Sequence, residues 1–173
     1  THQQRAILQR LTDDPVLCRA GLFGLFSVFR ALAKAGAYER VYDLFTPWRQ
    51  MLNLGLTTCA EVLDLERTRS DCHAWSCAPL YEFTTKVLGV QPSAPGFSRV
   101  LIRPYPGYLS WARGSVPTPA GDVHVSWSIE GNRFLLEGEL PQGVPGEVVA
   151  PGGEQATFSG GRFRMETSVP MKS

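Results

Sequence analysis

Neither sign of charge prevails in this chain. Seventeen Lys and Arg stand against sixteen Asp and Glu over 173 residues, so no basic field is available to hold a nucleic-acid backbone. Nucleic acid is not an expected partner. No run approaches the ~20 apolar residues that a membrane-spanning helix needs, and none is expected to cross a membrane. The opening Thr1-His2-Gln3-Gln4 is not the charged and apolar start of a secretion signal. A chain that starts without Met inside a helix-like pattern is expected to be a piece of something longer. Cysteine is sparse too: Cys18, Cys59, Cys72 and Cys77 include no C-x-x-C pair, and there are three histidines in all. No zinc or other metal site, and no cofactor, is therefore expected. Small buried thiols are the plain reading of the four. They lean toward a reducing, cytoplasmic compartment, although composition does not separate that from a periplasmic or secreted one. No Ser lies in a G-x-S-x-G elbow, so a Ser/His/Asp triad has no support.

Glycine and proline are scarce in the first 90 residues, with 5 and 3, and abundant in the last 83, with 12 and 10. That shift divides helices from strands, with the boundary near Gly89, and implies an α + β chain of two domains, 1–90 and 91–173. Helical spacing predicts one element over 2–11, stopped by Asp13-Asp14-Pro15. A second spans Leu22 to Ala35, apolar nearly all round and capped at Gly36. A third begins at Tyr38 and is interrupted at Thr46-Pro47, read as an N-cap followed by Pro in the first turn. A fourth covers Asp71 to Leu88 and is kinked or split at Pro79. Leu22, Phe23, Phe26 and Phe29 exceed what two or three neighbouring helices can shield, so this face is expected to need a further partner. Past Gly89 the period becomes two. Strands are expected at 100–102, 123–129, 133–140, 147–150, 156–158 and 162–166, with a hairpin turn at Glu130-Gly131-Asn132, which together suit an antiparallel β-sandwich.

The segment from Leu54 to Ala78, LGLTTCAEVLDLERTRSDCHAWSCA, holds the densest set of reactive and polar side chains: Glu61, Asp64, Glu66, Arg67, Arg69, Asp71, His73 and Trp75. Connections held by a helical scaffold are where sites are commonly built. Structural readings stand beside the functional ones. Thr58-Cys59-Ala60-Glu61 matches a capping box. Ser70 or Asp71 is a natural N-cap for a helix carrying His73. The arginines can pair with Asp64, Glu66 and Asp71, and Trp75, Trp111 and Trp127 suit a core.

The run TTCAEVLDLERTRSDCHAWS, followed by PLYEF, VLGVQPSAPGFSRVLIRPYPG and WARGSVPTPAGDVHVSW, resembles the C-terminal part of bacterial α-L-rhamnosidases of the inverting six-hairpin type, glycoside hydrolase family 78. Upstream, LFSVFRALAKAGAYERVYDLF and PWRQMLNLGLTT are similar to late barrel helices of that family. The resemblance implies that residues 1–90 are the last hairpins of an (α/α)6 barrel and residues 91–173 a C-terminal β-sandwich. It implies a glycoside hydrolase removing terminal α-L-rhamnose from glycosides or oligosaccharides, with the remaining barrel segment as a further partner. Glu61, in the T-T-x-x-E element, falls where the family's general base stands. His73, in S-D-x-H-A-W-S, falls where a histidine touches sugar hydroxyls, Trp75 takes a substrate-side place, and Arg69 and Asp71 are orienters behind it. The general acid of the family lies upstream of this chain, so the fragment alone is expected to be inactive. Ala60 stands where many members carry an aromatic residue. Two other functions remain: a structural or carbohydrate-binding fragment without catalysis, and a six-hairpin hydrolase of another sugar.

Overall fold

The computed structural model describes residues 6, 7, 10, 20–62, 64 and 66–169. Of the helix expected over 2–11, Ala6, Ile7 and Arg10 are helical, and the rest of it and Cys18 lie outside the described residues. The chain divides into two compact units, Thr1–Pro79 and Leu80–Ser173.

In the first unit, helix α1 (Leu22–Lys34) buries Leu22, Phe29 and Leu32 along one stripe. It ends where Gly36 takes φ 71. The Gly36 and Ala37 amides then reach back to the carbonyls of Ala33 and Leu32, at 3.2 and 2.9 Å, satisfying carbonyls that a helix end leaves without partners. Within this chain the apolar face of the helix is covered only in part. Leu22 and Phe29 are buried within this chain, while Phe23 and Phe26 are 63% and 37% exposed. The reason is angular: about 100° separates successive residues on a helix, so Phe23 is turned away from the stripe of Leu22.

The helix expected from Tyr38 is instead a pair of 3₁₀ turns, Tyr38–Val41 and Asp43–Phe45, leading into helix α2 (Thr46–Asn53). Thr46 is not the cap that its sequence neighbours suggest. Phe45 occupies that position, and the Thr46 hydroxyl donates back to the Asp43 carbonyl at 2.9 Å. Pro47 sits in the first turn, where its missing N–H leaves no bond unmade. The core of the unit is aromatic. Phe29 meets Phe45 edge-on at 5.5 Å and Trp48 at 6.1 Å, spacings at which ring quadrupoles attract.

The helix expected over Asp71 to Leu88 is broken into three pieces. A 3₁₀ turn spans Ala74–Ser76, helix α3 spans Ala78–Glu82, and a π-helical turn spans Phe83–Val87. Pro79 lies in the first turn of α3, so the split falls just before it. Cys72 and Cys77 consequently share no helix.

The second unit carries two four-stranded sheets. Strands β1 (Val90–Pro92), β2 (Val100–Ile102), β6 (Gly146–Val149) and β7 (Gln155–Phe158) form one, in the order β1-β2-β6-β7. Strands β3 (Trp111–Thr118), β4 (Gly121–Glu130), β5 (Arg133–Leu140) and β8 (Gly161–Ser168) form the other, in the order β3-β4-β5-β8. The expected all-antiparallel pattern is corrected at one place, because β2 and β6 pair in parallel, with Val100 opposite Gly146. Alternation sets the core: Val123, Val125 and Trp127 of β4, with Phe134, Leu136 and Leu140 of β5, are buried. Phe158 of one sheet meets Phe163 of the other at 5.5 Å. Strand β3 was hidden from pattern reading by Gly114 and Pro117, and it lies at a sheet edge, the position where a strand tolerates Pro.

Helical residues just before Gly89 belong with these strands. The Trp127 indole N–H donates to the Val87 carbonyl at 2.8 Å in buried surroundings, which places the start of the second compact unit ahead of the compositional change. Trp127→Phe leaves that carbonyl without its donor and removes ring volume, and should cost about 1–3 kcal/mol, read as a lowered denaturant midpoint with an unchanged slope.

Candidate functional site

Residues 54–78 of the first unit fold back on themselves through three ties. The Glu61 amide donates to the Ser70 carbonyl at 2.9 Å and the His73 amide to the Cys59 carbonyl at 2.7 Å. The Thr58 hydroxyl donates to the Asp71 carbonyl. These pairs place residues 58–61 beside residues 70–73 and so bring Glu61 and His73, twelve positions apart in sequence, to one side. The Trp48 indole N–H, from α2, donates to the Ser76 carbonyl at 2.6 Å and is buried there. This anchors the 3₁₀ turn that carries Trp75.

The capping-box reading of Glu61 does not hold, since no helix begins at Thr58. The Glu61 carboxylate instead receives the Arg69 guanidinium with both oxygens, Nε reaching Oε2 at 3.2 Å and Nη2 donating to Oε1. Such a two-point match orients a carboxylate as well as neutralising it. The Glu61 side chain is 15% exposed and that of Arg69 84%, so the carboxylate is shielded while the guanidinium reaches over it from solvent. The Arg69 hydrogen bond holds the Glu61 carboxyl below the usual carboxylate range, against the opposing effect of desolvation. Because this pKa is depressed in the folded state, the pair's stabilisation is present above the ordinary carboxylate pKa. It is lost as pH falls through the depressed value.

Ser70 and Asp71 do not cap a helix bearing His73. His73 is extended, at φ −116 and ψ 105, immediately before the turn Ala74–Ser76, and the Ser70 hydroxyl accepts from the Cys72 amide at 3.3 Å. The expected core role of the tryptophans holds for Trp127 but fails for Trp75 and Trp111, which are 67% and 66% exposed. Trp75 lies at 5.1 Å from Phe23 and edge-on to His73 at 6.0 Å.

Glu61, Arg69, His73 and Trp75 all line one open cleft of about 600 Å³, together with Phe23 and Leu22 at the start of α1. Asp71 is exposed and lies outside that lining. Of the neighbouring charges, Arg67 pairs with Asp64 at 3.3 Å. Phe23 was missed as a site residue because its neighbours make it look like core. The available signal was its place one step off the buried stripe of α1. Glu61 is the one carboxylate of the lining among the described residues, which suits the acceptance of a single proton. Burial, reinforced by Cys77, pushes the Cys59 thiol up to about 11, so it stays protonated at neutral pH and is no nucleophile. Among the described residues no group of three His, Cys, Asp or Glu could hold a metal ion, and no helix is long and apolar enough to cross a membrane.

The chain is similar to several known proteins. Residues 89–162 match the family described as the bacterial alpha-L-rhamnosidase C-terminal domain. An alpha-L-rhamnosidase of Alteromonas sp. (strain LOR) is 28% identical over 163 residues, covering 86% of this chain and 18% of the relative. The native alfa-L-rhamnosidase of Aspergillus terreus shares the fold with a TM-score of 0.84 at 23% identity, over 95% of this chain and 21% of that one. A family GH78 rhamnosidase of Bacillus sp. GL1 is 36% identical with a TM-score of 0.66, over 75% of this chain and 15% of that one. The chain thus spans about a fifth of the length of these proteins. In sequence and in fold this chain is similar to α-L-rhamnosidases, with residues 89–162 similar to their C-terminal domain.

Proposed function

We propose that this chain contributes the closing helices of an (α/α)6 barrel and a C-terminal β-sandwich to an inverting glycoside hydrolase that removes terminal α-L-rhamnose. The observation that carries the reading is the convergence of Glu61, Arg69, His73 and Trp75 on one open cleft. In an inverting glycosidase one carboxylate takes a proton from the attacking water while a carboxylic acid about 6.5–9.5 Å away protonates the departing oxygen. Glu61 is the base. Arg69 keeps it ionised and fixes the plane of its oxygens. His73 hydrogen-bonds sugar hydroxyls, and the exposed Trp75 ring offers an apolar face to the C–H side of the sugar. Asp71 acts from behind, since the Thr58 hydroxyl bound to its carbonyl keeps residues 58–61 in place. The proton donor comes from the remaining barrel segment.

The stereochemistry of the product tests this reading. Proton NMR during the first minutes of hydrolysis of an aryl α-L-rhamnoside by the intact enzyme should show β-L-rhamnose first, with the α anomer growing in by mutarotation. Initial release of the α anomer would remove inversion, and with it the single-base role of Glu61.

A further inference from the structure

We propose that the solvent-facing side of the β3-β4-β5-β8 sheet is a binding trough for a neutral oligosaccharide. Along β4 the inward residues are Val123, Val125 and Trp127, so Ser126 and Ser128 point the other way, consistent with the burial alternation. Register sets their neighbours. Trp111 stands opposite Ser128 and Arg113 opposite Ser126 on β3, while Leu135 and Glu137 stand opposite the same serines on β5. Two short hydroxyl side chains thus floor a channel walled by Trp111 and Arg113 on one side and by Leu135 and Glu137 on the other. These residues line a cavity of about 340 Å³, within the about 300–1,000 Å³ range of small-molecule sites. A second cavity of about 380 Å³ shares Arg113 and Ser126 and continues to His124, which gives the trough length for more than one sugar ring.

The chemistry selects the ligand. An indole 66% exposed presents a flat apolar face at a sheet edge, suited to the C–H side of a pyranose. Beside it the Arg113 side chain makes no hydrogen bond or ion pair among the described residues, leaving a fork of donors for vicinal hydroxyls. Across the channel Glu137 supplies an acceptor in Oε2, its Oε1 being held by Arg164. Elsewhere on this face Arg133 pairs with Glu166 at 2.6 Å and Arg162 with Glu139 at 3.7 Å. A face with so little net field does not attract a polyanion. A neutral glycan needs none.

This proposal rests on the rhamnosidase reading for the choice of sugar alone, and its test is separate from the Glu61 cleft. Calorimetric titration of the chain with a neutral rhamnose-bearing oligosaccharide and a neutral glucan oligosaccharide should give saturable binding to at least one. Trp111→Ala should weaken that binding tenfold or more at an unchanged melting temperature, and Arg113→Gln should do the same without touching the ring, providing the comparison if the Trp variant does not fold. Because neither substitution alters the lining of the Glu61 cleft, such a loss separates binding in the trough from binding in the cleft. No saturable binding to either sugar, wild-type affinity in both trough variants, or a response to a polyanion in place of sugars would overturn the proposal.

Discussion

Glu61→Gln in the intact enzyme should lower kcat by about 10²–10⁴-fold, the usual worth of a positioned base, while KM for an aryl rhamnoside changes little. The amide keeps the size of the carboxylate and can still accept from Arg69 through one oxygen, so the cleft retains its shape. It cannot take the proton of the attacking water. A variant with near-normal turnover would reduce Glu61 to a partner of Arg69. The pH profile supplies a second readout on the same residue. Arg69 depresses the Glu61 carboxyl, so the base stays ionised to lower pH than an ordinary carboxylate. Arg69→Gln removes that hydrogen bond and charge, and the acid limb of kcat/KM should move to higher pH. An acid limb that stays in place would mean that another group sets it.

The 173-residue chain by itself should hydrolyse an aryl α-L-rhamnoside at least about 10²–10⁴-fold more slowly than the intact enzyme, because the cleft lined by Glu61 offers a base and, among the described residues, no second carboxyl to protonate the departing oxygen. Leaving-group dependence sharpens the measurement. Any residual rate should rise steeply as the aglycone becomes a better leaving group, since an acidic phenol departs without protonation. A turnover near that of a complete rhamnosidase would place the proton donor inside this chain and would overturn the division of labour proposed above.

How much could be read before the structure depends on whether a feature is local. Helix α1 and its end at Gly36, the Pro in the first turn of α2, and strands β4 and β5 with their hairpin at Gly131 lay in the sequence. Each rests on side-chain period or on one residue's backbone freedom. The second region, residues 71–88, misled because its apolar spacing suits a helix. The chain instead spends residues 70–73 pairing with residues 58–61, and a pairing across the intervening residues 62–69 leaves no periodic trace.

The same contrast runs through the site. The segment that carries the chemistry could be named from its residue types and its motif, Glu61 and His73 included. That Arg69 would claim Glu61, while Asp71 would fall outside the cleft, could not, since both lie within four residues of His73 and differ only in the direction that the fold turns them. The tryptophans make the point on burial. Trp75, Trp111 and Trp127 look alike as large apolar residues in regular patterns, yet two are open and one is 2% exposed. Alternation assigns a residue to one of two faces. Which face is covered depends on what packs against it, and for Trp127 that cover includes the helical turn ending at Val87, forty positions away.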